Sequence, residues 1–433
     1  MITLFLTKRR HRANHTWQPT GRWSGWDGPV AVPAIGGARN RRRRTRGKPC
    51  KGFPERAPLV NPRWLGRGVV LALAAPVVMA GAIAGVPSGA SASTCVSWTG
   101  TQPPSPGTSE LHNVAVLSSC NAWAVGEYST NATAYTPQTL IEHWNGSAWK
   151  QVASPNPGSF GNALFGVTAV SATNIWAVGR YDTGTQMRTL IVHWNGSAWK
   201  QVASPNPSSA DDSDNELSGV RAVSATNIWA VGLYRNYVDE PANTLIEHWD
   251  GTAWTRVASP DPGNSSLNGV AVSSATSVWA VGTYSNRLTL VLHWNGSSWK
   301  QVASPNASTS SELVGVTAVS ATNVWAVGWY YAGTGARTLI LHWNGTSWKQ
   351  IASPNPSPTD NELSGVRAVS ATNIWAVGGA GAVPLIEHWN GTAWTQAASP
   401  NLAGTLSGVA ASSATNIWAV GRSESKPLAL HCC

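Results

Sequence analysis

Beyond about residue 94 the chain alternates apolar and polar positions in short runs, each cut off by Gly, Asn, Pro or Ser. A period of two in runs rich in Val, Ile, Trp and Thr predicts β-strands. The runs themselves recur. Trp-Ala-Val-Gly occurs with its Trp at 123, 176, 229, 279, 325, 375 and 418, at intervals of 43 to 53 residues. After each of the first six comes His-Trp-(Asn/Asp)-Gly-x-x-Trp, beginning at His143, His193, His248, His293, His342 and His388. A variant of Val-Ala-Ser-Pro-Asn-Pro follows, and Leu-x-Gly-Val opens the next copy. In the third copy this predicts strands over Leu217–Ser224, Ile228–Tyr234, Thr244–Trp249 and Thr252–Ala258. Asn145-Gly146 and its counterparts, or Asp250-Gly251, separate the third and fourth strands and predict type I′ turns, in which both residues take positive φ. Seven units of four short strands predict an all-β fold: a seven-bladed β-propeller of four-stranded antiparallel blades.

The two ends predict how the ring closes. The seventh unit stops at its third strand, Leu428 to His431, while Cys95-Val96-Ser97-Trp98 with Ser105-Pro106 resembles the missing fourth. Aligning Trp98 with Trp394 and His431 with His388 places Cys95 at the turn glycine, beside Cys432 and Cys433. A disulfide there replaces the absent hairpin link, and Cys120, in a turn on the same ring face, is a candidate for the remaining partner. Four cysteines, Cys95, Cys120, Cys432 and Cys433, allow three pairings, and sequence does not choose among them.

Charge divides the chain into unlike parts. Residues 1–67 hold 16 Lys and Arg against 2 acidic residues, whereas the remainder holds 14 against 18. The formal net charge of +10 therefore belongs to the leader, and it argues for no nucleic-acid partner. Within residues 68–92, the uncharged stretch from Gly68 to Val86 precedes Ala90-Ser91-Ala92, the pattern of an export signal with its cleavage site. The expectation is a basic, disordered leader over 1–67, a signal segment over 68–92 and a secreted or cell-surface propeller over 93–433. If uncleaved, the apolar stretch instead anchors the chain in a membrane. Export to an oxidising space favours the disulfide.

The repeats resemble the Trp-rich propeller units of secreted bacterial proteins related to kelch and to the Asp-box propellers of neuraminidases. The Gly-x-x-Trp end of the Asp-box is present, as in Gly146 to Trp149, without its Ser and Asp; of the kelch Gly-Gly pair only Gly378-Gly379 appears. What the resemblance implies is the architecture, not an activity.

Seven histidines at one strand position invite a metal or catalytic reading. One per blade keeps them apart, and alternation places them between blades, so they are expected to make structural hydrogen bonds. The repeated Trp are expected to fill the layers between blades with their N–H groups on backbone carbonyls. Glycines at 166, 219, 269, 315, 365 and 408 suit a crowded axis; Arg221 and Arg367 read either as an anion site near the channel or, the favoured expectation, as partners of Glu216 and Glu362.

Function is sought where the units differ. Between the Trp-Ala-Val-Gly glycine and the next Leu they hold 13, 10, 12, 7, 10, 6 and 6 residues, and these loops share a face with the blade-to-blade connections. Tyr128, Tyr181, Tyr234, Tyr284 and Tyr330 stand two residues past that glycine, joined by Trp329 and Tyr331; they read either as aromatic platforms for sugars or as caps on blade edges. The third unit adds Tyr237, Asp239 and Glu240, and Asp212, Asp214 and Glu216 are the nearest approach to a calcium loop. No catalytic triad, zinc spacing, phosphate loop or dinucleotide fingerprint is present, and His112 is the one histidine after the leader outside the repeat. The expectation is a monomeric, non-catalytic recognition propeller without cofactor that binds extracellular glycans; the alternatives are a scaffold for surface proteins and a polysaccharide hydrolase or lyase.

Overall fold

The computed structural model describes residues 95, 97–131, 135–237, 239–285 and 287–433; the predicted basic leader, signal segment and cleavage site lie outside the described residues. Each repeat forms one four-stranded antiparallel sheet with strands in chain order, and seven such blades form a ring. In the third blade the strands are Asp214–Ser224, Asn227–Arg235, Asn243–Trp249 and Trp254–Arg256, from the axis outward. The seventh is completed by Trp98–Thr101, which pairs with Lys426–Cys432 so that Trp98 lies opposite Cys432.

Two glycines in each of six blades, and one in the first, where Asn113 takes the axis position, make the packing possible. The inner strand bulges between Leu217 and Gly219, and a Cβ on Gly232, the last residue of Trp-Ala-Val-Gly, would overlap the carbonyl oxygen of Glu216 across that bulge. At the axis, a Cβ on Gly408 would stand 2.8 Å from the Cα of Asn113 in the first blade. Side chains there would push the inner strands apart.

The outer strands are shorter than expected because the preceding turn is longer. Only its glycine has positive φ (95° at Gly146, 101° at Gly251), so the turn is not type I′. Four residues make it, and the asparagine side chain caps it: Asn145 Oδ1 accepts the N–H of Ser147 and of Ala148, both at 3.0 Å, and the Ser147 hydroxyl at 2.8 Å. Asp250 does the same, and these bonds, the Thr252 hydroxyl first, hold its carboxyl down to about 2. The cap explains why Ser or Thr follows the glycine each time.

Between blades lies a layer of tryptophan. Trp123 stacks on His143 of its own blade, centroids 4.2 Å apart, and crosses to Trp194 (4.9 Å) and, edge-on, Trp199 (5.6 Å) of the next blade. The same wedge recurs at Trp176, Trp229, Trp279, Trp325 and Trp418. At the joint of blades six and seven, Trp375 meets Trp98 edge-on, while Cys432 occupies the third-strand Trp position and is bonded to Cys95, Cα atoms 5.6 Å apart. Cys433 keeps a free, exposed thiol, so of the three pairings open to the four cysteines the one that adds Cys120–Cys433 to Cys95–Cys432 is not made. The indole N–H groups depart from expectation too. Trp144, Trp194 and Trp249 donate to carbonyls of the neighbouring turn at 3.0 to 3.2 Å, and Trp176 and Trp325 donate instead to Asn side chains at 2.8 Å. The outer-strand Trp149, Trp199, Trp254, Trp299, Trp348 and Trp394 make no N–H hydrogen bond, because they sit among aromatic rings rather than carbonyls.

The layer also hides three carboxyls. Glu142, Glu247 and Glu387 are 0% exposed and have no hydrogen-bond partner, at a position where the other blades hold Val192, Leu292, Leu341 and Leu430. Burial pushes Glu142 and Glu387 up to about 8, and Glu247 well above the carboxylate range. The folded state therefore holds protons that the unfolded state releases. Their stabilisation is complete below the unfolded value near 4.5 and is lost as pH rises through about 8.

Two outcomes follow. The triple variant E142L/E247L/E387L should be more stable than the parent at pH 8, by about 1–3 kcal/mol per site, with a flatter stability profile between pH 5 and 8; chemical denaturation across that range measures it. Replacing Cys95 and Cys432 together by Ala should cost on the order of 5 kcal/mol in the chain-entropy account of a cross-link this long, read as a lower denaturation midpoint, and C433A should cost nothing measurable.

Candidate recognition face

The two ends of each blade are chemically unlike. One carries the capped Asn-Gly turns and the Ser-Ala-Thr-Asn turns of the inner strand pair, small and polar. The other carries the variable loops and the connections between blades. All six exposed large apolar side chains among the described residues lie on this loop face: Tyr135 (51% exposed), Phe160 (55%), Tyr237 (48%), Tyr331 (51%), Val383 (44%) and Leu402 (37%). Of these, Tyr237 and Tyr331 had been singled out in the sequence.

The five repeated tyrosines stand at the ends of second strands on the same side, one per blade. Each is half-buried and packs against the layer between its own blade and the preceding one. Tyr128 donates to Gln138 Oε1 at 2.7 Å; Arg256 lies over Tyr234 and bonds its hydroxyl at 2.8 Å. They are spread around the ring and do not converge. In the first blade Tyr128 forms one wall of a cleft of about 330 Å³ with Thr139, Gln151, Ser154 and Asn156. The Ser-Pro-Asn segment builds that cleft by folding back on the third strand, with Asn156 Oδ1 accepting the Thr139 N–H at 2.7 Å. The same clamp joins Thr189 to Asn206, Thr289 to Asn306 and Thr338 to Asn355, so the Tyr-Gln-Ser-Asn set recurs in blades two, four and five. Trp329 is half-buried and takes Arg287 over its ring at 5.3 Å. Asp239 and Glu240 are exposed in the loop of the third blade beside Tyr237.

Around the axis the inner strands carry charge. Glu216 meets Arg180 of the neighbouring blade at 2.6 Å, Asp214 meets Arg235 at 3.3 Å, and Glu110 meets Arg422 at 3.3 Å. The expected Arg221–Glu216 pair does not form: five residues along a strand separate the two by roughly 16 Å of backbone, and the preceding blade supplies a nearer arginine, Arg180. Arg367 likewise turns to the carbonyl of Ala411 at 3.4 Å rather than to Glu362. Burial raises Asp214, Glu312 and Glu362 above the usual carboxylate range. With Asp214 and Glu216 each engaged by an arginine, the weak calcium candidate of Asp212, Asp214 and Glu216 does not assemble. Among the described residues the one group of metal-ligand type whose atoms come within 4.8 Å of one another is Glu110, His112 and Glu127. A sequence signal for it existed: an acid before the inner-strand Leu and another after the Trp-Ala-Val-Gly glycine fall on one rung.

The seven repeated histidines stay apart. Each Nε2 bonds a side chain of its own blade, Asn121 for His143, Ser277 for His293 and Asn416 for His431, at 2.9 to 3.1 Å. Burial lowers their pKa, so the rings are neutral at neutral pH.

No protein-family model and no curated protein matches the chain, so the likeness to kelch and Asp-box repeats stays one of residues. Among solved structures, YCF48 bound to a D1 peptide matches with a TM-score of 0.53 at 15% identity, over 78% of this chain and 99% of that one. YCF48 from Cyanidioschyzon merolae (0.50, 13%, 78% and 98%) and the WD40 propeller domain of Doa1 (0.50, 9%, 78% and 96%) match similarly. At these identities the likeness shows the fold: the chain is a β-propeller.

Proposed function

We propose that this chain is a secreted, non-catalytic recognition propeller whose loop face binds a glycan. The observation that carries the reading is the segregation of surfaces: among the described residues every exposed large apolar side chain lies on the loop face, against a polar and repetitive turn face. Sugar as the ligand is favoured by the first-blade cleft and by the return of its residue set in three other blades, an aromatic wall beside amide and hydroxyl groups, which is the chemistry that stacks and hydrogen-bonds a pyranose. Several such clefts on one ring would bind weakly one by one and strongly together.

A second reading, a protein partner, rests on a different observation. Tyr135, Phe160, Tyr237 and Tyr331 stand exposed once each in unlike loops of different blades, an irregular distribution of aromatic side chains of the kind found in protein-reading surfaces rather than in repeated sugar sites.

A glycan array probed with the purified chain, beside a pull-down from cell-surface extract, separates the two. The glycan reading expects sugar-dependent signal that falls at least tenfold when Tyr128, Tyr181, Tyr284 and Tyr330 are together changed to Ala. A silent array, with capture that sugar does not compete and that Y237A/Y331A abolishes, would establish the protein partner instead.

A further inference from the structure

At one rung the inner strand pair of the first blade carries a pair of charges that none of its six copies carries. Glu110 and Glu127 face each other across the ladder. The same rung elsewhere holds Ala163 and Arg180, Glu216 and Leu233, Ser266 and Thr283, Glu312 and Trp329, Glu362 and Gly379, or Thr405 and Arg422. In no other blade does an acid oppose an acid at this rung, and like charges directly opposed destabilise a sheet; arginines of the two neighbouring blades, Arg422 beside Glu110 and Arg180 within electrostatic reach of Glu127, offset part of that repulsion from the outside.

The third member is His112, two residues beyond Glu110 on the same strand. Its Nε2 stands 3.3 Å from Glu110 Oε1, yet that nitrogen is shielded from solvent and makes no hydrogen bond of acceptable geometry. Its ring is held in place by Phe165 of the second blade, centroids 5.1 Å apart. The other groups around the cluster fix the carboxylates rather than fill the space between them. Arg422 reaches the far oxygen of Glu110 at 3.3 Å, and Tyr135 donates to Glu127 Oε1 at 2.7 Å.

We propose that Glu110, His112 and Glu127 form a divalent metal site of the zinc class on the loop face, where the inner strands begin and end. One imidazole with two carboxylates suits a borderline ion such as Zn²⁺ better than Ca²⁺, which takes oxygen alone. Three protein ligands would leave a position open. It lies beside Tyr135, an exposed side chain of the proposed recognition face, so the ion could accept an oxygen of whatever ligand binds there. The site does not depend on that ligand being a glycan.

Calorimetric titration of the purified full chain with Zn²⁺, and of the same chain with Co²⁺ followed by visible absorption, tests the site; both use a C433S background so that the exposed thiol takes no metal. One equivalent of Zn²⁺ and Co²⁺ d–d bands are expected, each weakened at least tenfold in H112S and in E127R. Ser and Arg are what other blades carry at these positions (Ser218, Ser364 and Ser407; Arg180 and Arg422), so both variants should fold. No Zn²⁺ uptake, or uptake and Co²⁺ bands unchanged in both variants, would overturn the site and leave His112 as a partner of Glu110 alone.

Discussion

One contact organises this molecule: an indole from the second strand of a blade, backed by its own histidine and driven between two indoles of the next. A blade is a small twisted sheet with two apolar faces, and alone it would leave both in water. The wedge closes one face against the neighbour, and repetition closes the rest. The buried core is thus seven similar layers standing between sheets, and each layer touches only the two sheets that bound it. Stability is accordingly nearest-neighbour in character, as in other repeat architectures.

Much of this could be seen in the sequence, because whatever a blade needs for its own geometry is written seven times. The strand order, the blade number and the glycines at the axis follow from spacing and alternation, and the structure agrees on each. The misreadings fall where two parts of the chain meet at an angle that spacing does not encode. Asn145-Gly146 looked like a two-residue turn because the pair has that preference; the side-chain cap that makes it a four-residue turn involves residues just downstream. Arg221 was given the wrong partner because Arg180 comes from another blade. The burial of Glu142, Glu247 and Glu387 is not legible in the sequence for the same reason, since a glutamate on a strand is buried only by the neighbouring sheet placed over it.

The face that carries function was legible only in part. Loop length pointed to it correctly, for loops tolerate change where strands do not. Which side chains stand free there is not legible: Tyr135, Phe160, Val383 and Leu402 carry no sequence signal that sets them apart, while the repeated tyrosines are half sunk into the layers. The tyrosines stand out by repetition, yet a residue repeated from blade to blade more often serves the joint between blades. The cluster of Glu110, His112 and Glu127 shows the converse, since its residues stand out by differing from their copies.

The same joint, used over and over, leaves one quantity unspecified. Every wedge presents a front surface to one neighbour and a back surface to the other, a head-to-tail contact that would run on indefinitely if nothing returned it to its origin. Nothing in Trp176 or Trp325 distinguishes its place in the order, so the joints cannot count. What counts is the pairing of Trp98–Thr101 with Lys426–Cys432, which one chain can make only when its first and last wedges arrive side by side. Across two chains the same pieces fit equally well, and a strand lent to a neighbour's unfinished sheet would link molecules into larger rings. The Cys95–Cys432 bond, formed within one chain, is what makes that exchange hard to undertake once the ring has shut.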